Sequence, residues 1–173
     1  MAPLTLTLIA RDRPGLVDAL SERVAAAGGN WLESRMARLA GQFAGILLVE
    51  VPDASVDALL ASLRGLEAEG LHVTAERGAG EEPAEARRLV SLELVGQDHP
   101  GIVRDIAHAL AGRGVNIDEL ETEVATGSFS GEALFRANAR LSVPAELTAD
   151  ELRDALEPLA NELMVDIELD EEP

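Results

Sequence analysis

The sequence predicts an α+β protein built from two tandem copies of one small βαββαβ domain, and three observations carry this prediction. First, the chain matches itself at an offset of 86 residues. Second, short segments alternate apolar and polar residues with the period of two that is typical of a strand with one buried face. Third, apolar residues after these segments recur at helical spacing. The chain has 173 residues, which is room for two domains of about 85 residues each.

The internal repeat is centred on two Pro-Gly pairs. Pro14-Gly15 aligns with Pro100-Gly101 at the offset of 86 residues. The same shift superimposes six further pairs of residues: Asp12 and Asp98, Val17 and Val103, Leu20 and Ile106, Val24 and Leu110, Gly28 and Gly114, and Asn30 and Asn116. Agreement at one offset over residue types with structural roles indicates a duplication.

Each copy begins with a strand and a helix. Residues 4–8 and 90–94 alternate apolar and polar side chains, so they predict the first strands. A proline lacks an N–H and presets φ, which suits Pro14 and Pro100 to the first helical position. The helices that follow are expected to end near Gly28 and Gly114. Four residues of the first helical turns are expected in the core: Leu16, Val17, Ile102 and Val103.

Each copy continues with a hairpin, a second helix and a last strand. The hairpin strands are predicted at residues 31–39, 43–51, 117–124 and 134–143, with turn signals at Gly41 and at residues 126–131. The second helices are indicated by leucine and valine at helical spacing: Val56, Leu60, Leu63, Leu152, Leu156 and Leu159. Ser55 and Thr148 are the expected N-caps. The last strands are predicted at residues 71–75 and 163–169.

This order of elements predicts two ferredoxin-like domains, each an antiparallel four-stranded sheet with two helices on one face. We place the first domain at residues 1–76 and the second at residues 88–173. Residues 77–87 are rich in glycine, proline and charge, and we interpret them as a linker.

Composition excludes several classes of function. The net charge is −18 and all 14 basic residues are arginine; because such a chain repels phosphate backbones, direct nucleic-acid binding is not expected. Residues 1–77 carry a net charge of −3 and residues 78–173 a net charge of −15. The acidic half either faces a basic surface on a partner or only keeps the protein in solution. No segment is long and apolar enough to span a membrane, the N-terminus does not read as a signal peptide, and cysteine is absent. We therefore expect a cytoplasmic protein.

The segment with functional content is the turn after each first strand, Asp12-Arg13-Pro14-Gly15 and Asp98-His99-Pro100-Gly101. A helix N-terminus carries free N–H groups and partial positive charge, so it can receive a carboxylate. The ammonium group of an amino acid would need acceptors, for which Asp12, Asp98, Asn30 and Asn116 are candidates. The aspartates could instead cap the helix, and the asparagines could instead mark left-handed backbone.

Strand, Asp-x-Pro-Gly-aliphatic-Val, helix and Gly-x-Asn together resemble the ACT domain, a module that binds amino acids and related small molecules. Two copies over residues 3–170 resemble the glycine cleavage system transcriptional repressor family. The resemblance implies a small amino-acid effector such as glycine, with no other cofactor. It also implies action through a DNA-binding activator protein. The resemblance implies ligand contacts at Gly15, Asn30, Gly101 and Asn116 and extends to Asp12 and Asp98. We add Arg13 and His99, which follow the aspartates in the motif, as further candidate ligand-binding residues. Arg13 and His99 differ at one motif position, so the two copies need not share a ligand.

Rival interpretations remain open at this point. No cysteine nucleophile is present and the three histidines are scattered, so we expect no catalytic activity. Glu119, Glu121 and Glu123 alternate along one strand; they would form a solvent face, an interface with the copy that carries Arg35, or, least favoured, a cation site. The chain could also be an interaction module without ligand, or a stand-alone allosteric subunit of a metabolic enzyme. Small domains gain from association, so we expect a homodimer.

Overall fold

The computed structural model describes residues 1–78, 86–128 and 131–173. They form two compact units, Met1–Glu82 and Pro83–Pro173. Within the predicted linker 77–87, residues 79–85 lie outside the described residues, while Arg77 ends one strand and Arg87 begins the next. The exact domain boundaries stay a prediction.

The first unit has the predicted order of elements. Its strands and helices are β1 (Ala2–Arg11), α1 (Leu16–Ala26), β2 (Asn30–Leu39), β3 (Gln42–Val51), α2 (Val56–Arg64) and β4 (Leu71–Arg77). A 3₁₀ turn at Asp53–Ser55 precedes α2, and a second at Gly65–Glu69 extends it. The hairpin between β2 and β3 turns at Ala40 and Gly41, which both have positive φ.

The second unit repeats this order. Its elements are β5 (Arg87–Gln97), α3 (Ile102–Ala111), β6 (Asn116–Thr126), β7 (Ala133–Pro144), α4 (Ala149–Leu163) and β8 (Val165–Glu171). The predicted turn at residues 126–131 includes residues 129 and 130, which lie outside the described residues. Leu163 ends α4 and is not part of the last strand, contrary to expectation, because the left-handed Met164 comes between the two.

Both sheets have the same antiparallel topology, and this confirms the ferredoxin-like α+β fold. The strand orders are β2-β3-β1-β4 and β6-β7-β5-β8. Alternate residues of β1 are buried, and they pack with α1 and α2 in one apolar cluster. A separate cluster joins β5 and β7 to α3 and α4. The helices therefore cover one face of each sheet.

Two details of α1 and α3 differ from the prediction. The helices begin at Leu16 and Ile102, so Pro14 and Pro100 precede them and do not occupy the first helical position. The core prediction holds for Leu16 and Ile102 but is wrong for Val17 and Val103, which are 46% and 43% exposed. A helix buries only a stripe of its surface, and these valines lie beside that stripe.

The second helices differ at their N-termini. Thr148 caps α4 as predicted, whereas the Ser55 side chain makes no capping hydrogen bond to α2. Ser55 fails as a cap because it already has helical dihedral angles at the end of a 3₁₀ turn. No helix among the described residues is long and apolar enough to cross a membrane.

Candidate functional site

The turn between the first strand and the first helix has one backbone geometry in both domains. Gly15 has φ 91° and ψ 2°, and Gly101 has φ 93° and ψ 0°. This left-handed conformation is strained for any residue with a Cβ. Glycine at these positions is thus required by the turn itself, whether or not a ligand approaches.

The aspartate of each turn is held through its backbone. The Asp12 N–H donates to Gly41 O at 2.9 Å, and the Asp98 N–H donates to Ala133 O at 2.9 Å. The N-cap positions of α1 and α3 are occupied by Gly15 and Gly101, which have no side chain, so neither aspartate is the cap residue. The capping interpretation of the aspartates is therefore wrong, and their carboxylates are left for other roles. The Asp12 Oδ2 lies 3.7 Å from Arg38 Nε.

The helix N-termini offer free backbone N–H groups. The first intrahelical bonds run from the Ala19 N–H to Gly15 O at 2.9 Å and from the Asp105 N–H to Gly101 O at 3.0 Å. The three N–H groups that precede each of these donors have no intrahelical acceptor. Without a side-chain cap they keep the partial positive charge of the helix end, which is the chemistry that receives a carboxylate.

Arg13 and His99 make equivalent contacts away from the helix N-terminus. Arg13 Nη2 donates to Glu69 O at 2.9 Å. His99 Nε2 lies 3.0 Å from Leu163 O, and Nδ1 lies 3.1 Å from Pro100 O. These two backbone contacts raise the pKa of His99. Both side chains thus contact the protein backbone in the described structure.

Arg104 distinguishes the second turn from the first, and the sequence prediction missed it. Its Nη2 lies 3.0 Å from the position that a Cβ on Gly101 would occupy, whereas nothing lies within 4 Å of that position at Gly15. Arg104 Nε donates to Asp105 Oδ1 at 2.8 Å, and this hydrogen bond lowers the pKa of Asp105. The repeat offset of 86 places Arg104 against Asp18. This reversal of charge between the copies is the sequence feature that could have identified Arg104.

Asn30 and Asn116 lie at the opposite end of the sheet from the turn of their own domain. Asn30 pairs with Glu50, which pairs with Pro3, while the turn follows Arg11. Eight residues of β1 therefore separate the two positions, which at 3.3 Å per residue is about 26 Å. The second domain has the same arrangement through Ser142 and Leu89. One small ligand cannot contact Gly15 and Asn30 of the same domain.

The asparagines stand beside a β-bulge that both domains share. The pairing of β2 with β3 shifts between Trp31 and Glu33, and that of β6 with β7 shifts between Ile117 and Glu119. Asn116 Nδ2 donates to Asp118 Oδ1 at 2.6 Å, and Ser142 Oγ donates to the other oxygen of Asp118. Asn116 thus takes part in a local polar network.

Among the residues that the structure describes, no three His, Cys, Asp or Glu side chains are placed to hold a metal ion together, and this includes the glutamate row on β6. Glu119 accepts from Arg140 at 3.3 Å. Arg35 pairs with Glu33 of its own strand at 3.1 Å. That Arg35 and Glu121 orient the two copies stays a hypothesis.

Comparison with known proteins assigns the fold to a family. ACT domain models match residues 3–76 and residues 90–157. The chain therefore belongs to the ACT domain family and carries two ACT domains in tandem, which confirms the resemblance. ACT domains are regulatory modules that bind amino-acid effectors. No curated protein matches the chain significantly.

Two solved structures resemble the whole chain. An unknown protein from Galdieria sulphuraria is 32% identical, with 99% of each chain covered and a TM-score of 0.84. A protein described as a "putative glycine cleavage system transcriptional repressor" is 20% identical, with 99% of this chain and 97% of that chain covered and a TM-score of 0.70. At that identity the second match shows a shared fold.

Proposed function

We propose that this protein is an amino-acid-responsive regulator whose effector is glycine or another small amino acid. The observation that carries the proposal is the pair of turns, where a left-handed glycine precedes a helix N-terminus that no side chain caps. The same turn in two ACT domains supports ligand sensing as its purpose.

The second turn is the better candidate for the effector carboxylate. Arg104, paired with Asp105, places a guanidinium beside Gly101, and the repeat places it against Asp18 of α1. A guanidinium is well suited to a carboxylate. Asp98 supplies an acceptor within the same turn for an ammonium group. In this proposal Gly101, Arg104 and Asp98 form the primary site, and Asp12 and Gly15 form a second, weaker one.

Asn30 and Asn116 have a separate role in this proposal, because neither can share a ligand with the turn of its own domain. They are candidate contacts for a ligand held at the other end of each sheet, next to the bulge. Substitution there should therefore leave binding at the turns of the same domain unchanged.

A panel of amino acids in a thermal-shift assay, followed by calorimetry, tests the proposal. We expect at least one small amino acid to bind with a Kd between about 1 μM and 1 mM. Arg104→Gln should weaken binding by roughly tenfold, the effect of one hydrogen bond to a charged group. Arg64→Gln is the matched control, since it removes one exposed arginine from α2. A panel without any binder, or equal losses in the two variants, would refute the proposed site.

We propose further that the protein acts on transcription of glycine or one-carbon metabolism through contact with a DNA-binding regulator. The net charge of −18 supports a protein partner over DNA. If so, a DNA-bound activator should capture this chain on a sensor surface only in the presence, or only in the absence, of the effector. Direct capture by DNA alone would contradict it. Light scattering in the same buffers tests the expected homodimer.

A further inference from the structure

In both domains the second residue of the turn motif connects the turn to the end of the second helix. Arg13 donates to the carbonyl of Glu69 at 2.9 Å, and Glu69 ends the 3₁₀ turn that extends α2. His99 Nε2 lies 3.0 Å from the carbonyl O of Leu163, which ends α4. The next residue is left-handed in both cases: Gly70 with φ 84° and Met164 with φ 54°. Two different side chains therefore make the same connection.

The physical chemistry of a helix end explains why a cation is used. The last carbonyls of a helix have no intrahelical donor and carry the negative end of the helix dipole. A donor with positive charge satisfies both the hydrogen bond and the dipole. Arginine keeps its charge at every pH at which proteins fold, whereas histidine titrates near neutrality.

The imidazole of His99 has two contacts that both need a donated proton. Its Nδ1 lies 3.1 Å from Pro100 O and its Nε2 lies 3.0 Å from Leu163 O. Carbonyl oxygens only accept hydrogen bonds, and a neutral imidazole has a single N–H. Only the imidazolium can make both bonds at once.

We propose that Arg13 and His99 are positioning residues that tether each turn to the end of the second helix, permanently in the first domain and pH-dependently in the second. That the tethered turn holds a ligand rests on the proposed function, whereas the tether itself does not. Arg13 and His99, which the sequence predicted as ligand contacts, thus bind the protein backbone instead.

The groups around His99 determine the direction of the pH dependence. The backbone contacts with Leu163 and Pro100 raise its pKa, and Asp98 and Asp105 act in the same direction. Arg104 and His108 also face Asp105 and lower the pKa of its carboxyl group. On the side of α4 and β8, the charged residues nearest along the chain to Leu163 are Glu162 and Asp166.

The sign follows from this shift. An unfolded histidine titrates near pH 6.5, and the folded pKa of His99 lies above its ordinary value. Both bonds are thus complete at pH values below about 6.5, and one of them is lost as the pH rises through the higher folded pKa. The neutral ring keeps at most one of its two bonds. The second turn then loosens while the first, held by Arg13, does not.

Amide hydrogen exchange of the free, full-length protein tests the tether. The reporters are hydrogen-bonded turn amides: those of Asp98 and Asp105 in the second domain and those of Asp12 and Ala19 in the first. After correction for intrinsic exchange, protection in the second domain should fall between about twofold and tenfold across the titration of His99, the factor of one net hydrogen bond. Protection in the first domain should stay constant.

The matched variants place arginine at position 99 and histidine at position 13. His99→Arg should abolish the pH response of the second turn, and Arg13→His should create one in the first. His108→Arg removes a nearby exposed histidine and should leave the response in place. A response that survives in His99→Arg, or equal responses of both turns in the unmodified protein, overturns the proposal.

An NMR titration of the unmodified protein tests the proposal even if a variant does not fold. The NMR titration of the His99 ring should give a higher pKa in the native chain than in the same chain unfolded in urea; an equal or lower value overturns the proposal. Because no ligand is present, the outcome is independent of amino-acid binding. If no amino acid of the panel binds but the exchange of the second turn still depends on pH, the proposed function is refuted and the tether is not.

Discussion

At the scale of single residues, the helix ends before β4 and β8 show how two residue types occupy one backbone conformation. Gly70 has φ 84° and Met164 has φ 54°. Glycine adopts this conformation without steric cost, whereas a residue with a Cβ is strained there. Met164 is also 71% exposed, so its side chain contributes little packing in return.

Replacing Met164 by glycine should stabilise the protein. Relief of left-handed strain outweighs the loss of chain entropy, and we expect Met164→Gly to raise the free energy of unfolding by about 0.5–1 kcal/mol. Urea titration at unchanged slope measures it. Gly70→Ala, the reverse change in the first domain, should lower stability by about 1 kcal/mol. A loss of stability in Met164→Gly would show that its side chain has a role that burial does not reveal.

At the scale of elements, α2 and α4 begin in different ways although they are equivalent in the repeat. Thr148 Oγ1 accepts from the Glu151 N–H at 3.1 Å, and Glu151 Oε2 accepts from the Thr148 N–H at 2.8 Å. This reciprocal capping box lowers the pKa of Glu151. In contrast, α2 continues from a 3₁₀ turn and needs no side-chain cap from Ser55.

Removal of the two hydroxyl groups should therefore have unequal effects. Thr148→Ala is expected to cost about 1 kcal/mol of stability, the usual value for a lost N-cap. Ser55→Ala should cost less than about 0.5 kcal/mol, as for a surface substitution. Chemical denaturation of both variants at neutral pH makes the comparison. Equal losses would mean that Ser55 contributes through contacts other than capping.

At the scale of the whole molecule, the chain has two separate apolar cores, and its net charge is divided unequally between its two halves. One apolar cluster draws its residues from the first unit and the other from the second. The net charge of −18 lies mainly in the second half, which carries −15 from residue 78 onward. Like charges at this density repel one another and oppose the compact state.

Salt should stabilise the protein by screening this repulsion. At 1 M ionic strength the screening length falls to about 3 Å, from about 10 Å at 0.1 M. We expect the melting temperature to rise as sodium chloride is increased over this range. A melting temperature that falls with salt would indicate that the exposed ion pairs, such as Arg88 with Glu171, contribute more than repulsion removes.

The sequence by itself determined the duplication, the βαββαβ order and the turn motif, because each depends on local signals. Alternation over five residues specifies a strand face, and a Pro-Gly pair before an apolar stripe indicates a helix start. These patterns were enough to predict two ferredoxin-like domains, whereas the starts of α1 and α3, the inclusion of Leu163 in the last strand, the Ser55 cap and the burial of Val17 and Val103 were wrong. An apolar residue type does not determine how wide the buried stripe of a helix is, so it does not show that Val17 and Val103 lie outside that stripe.

Only the tertiary structure decided what the turn residues contact. Arg13 and Glu69 are 56 residues apart, and His99 and Leu163 are 64 residues apart, so no local pattern brings them together. The register of the strands places Asn30 far from Gly15 although the two residues are only 15 positions apart in the chain. Contacts of this kind depend on how distant elements pack, and a linear pattern does not contain that information.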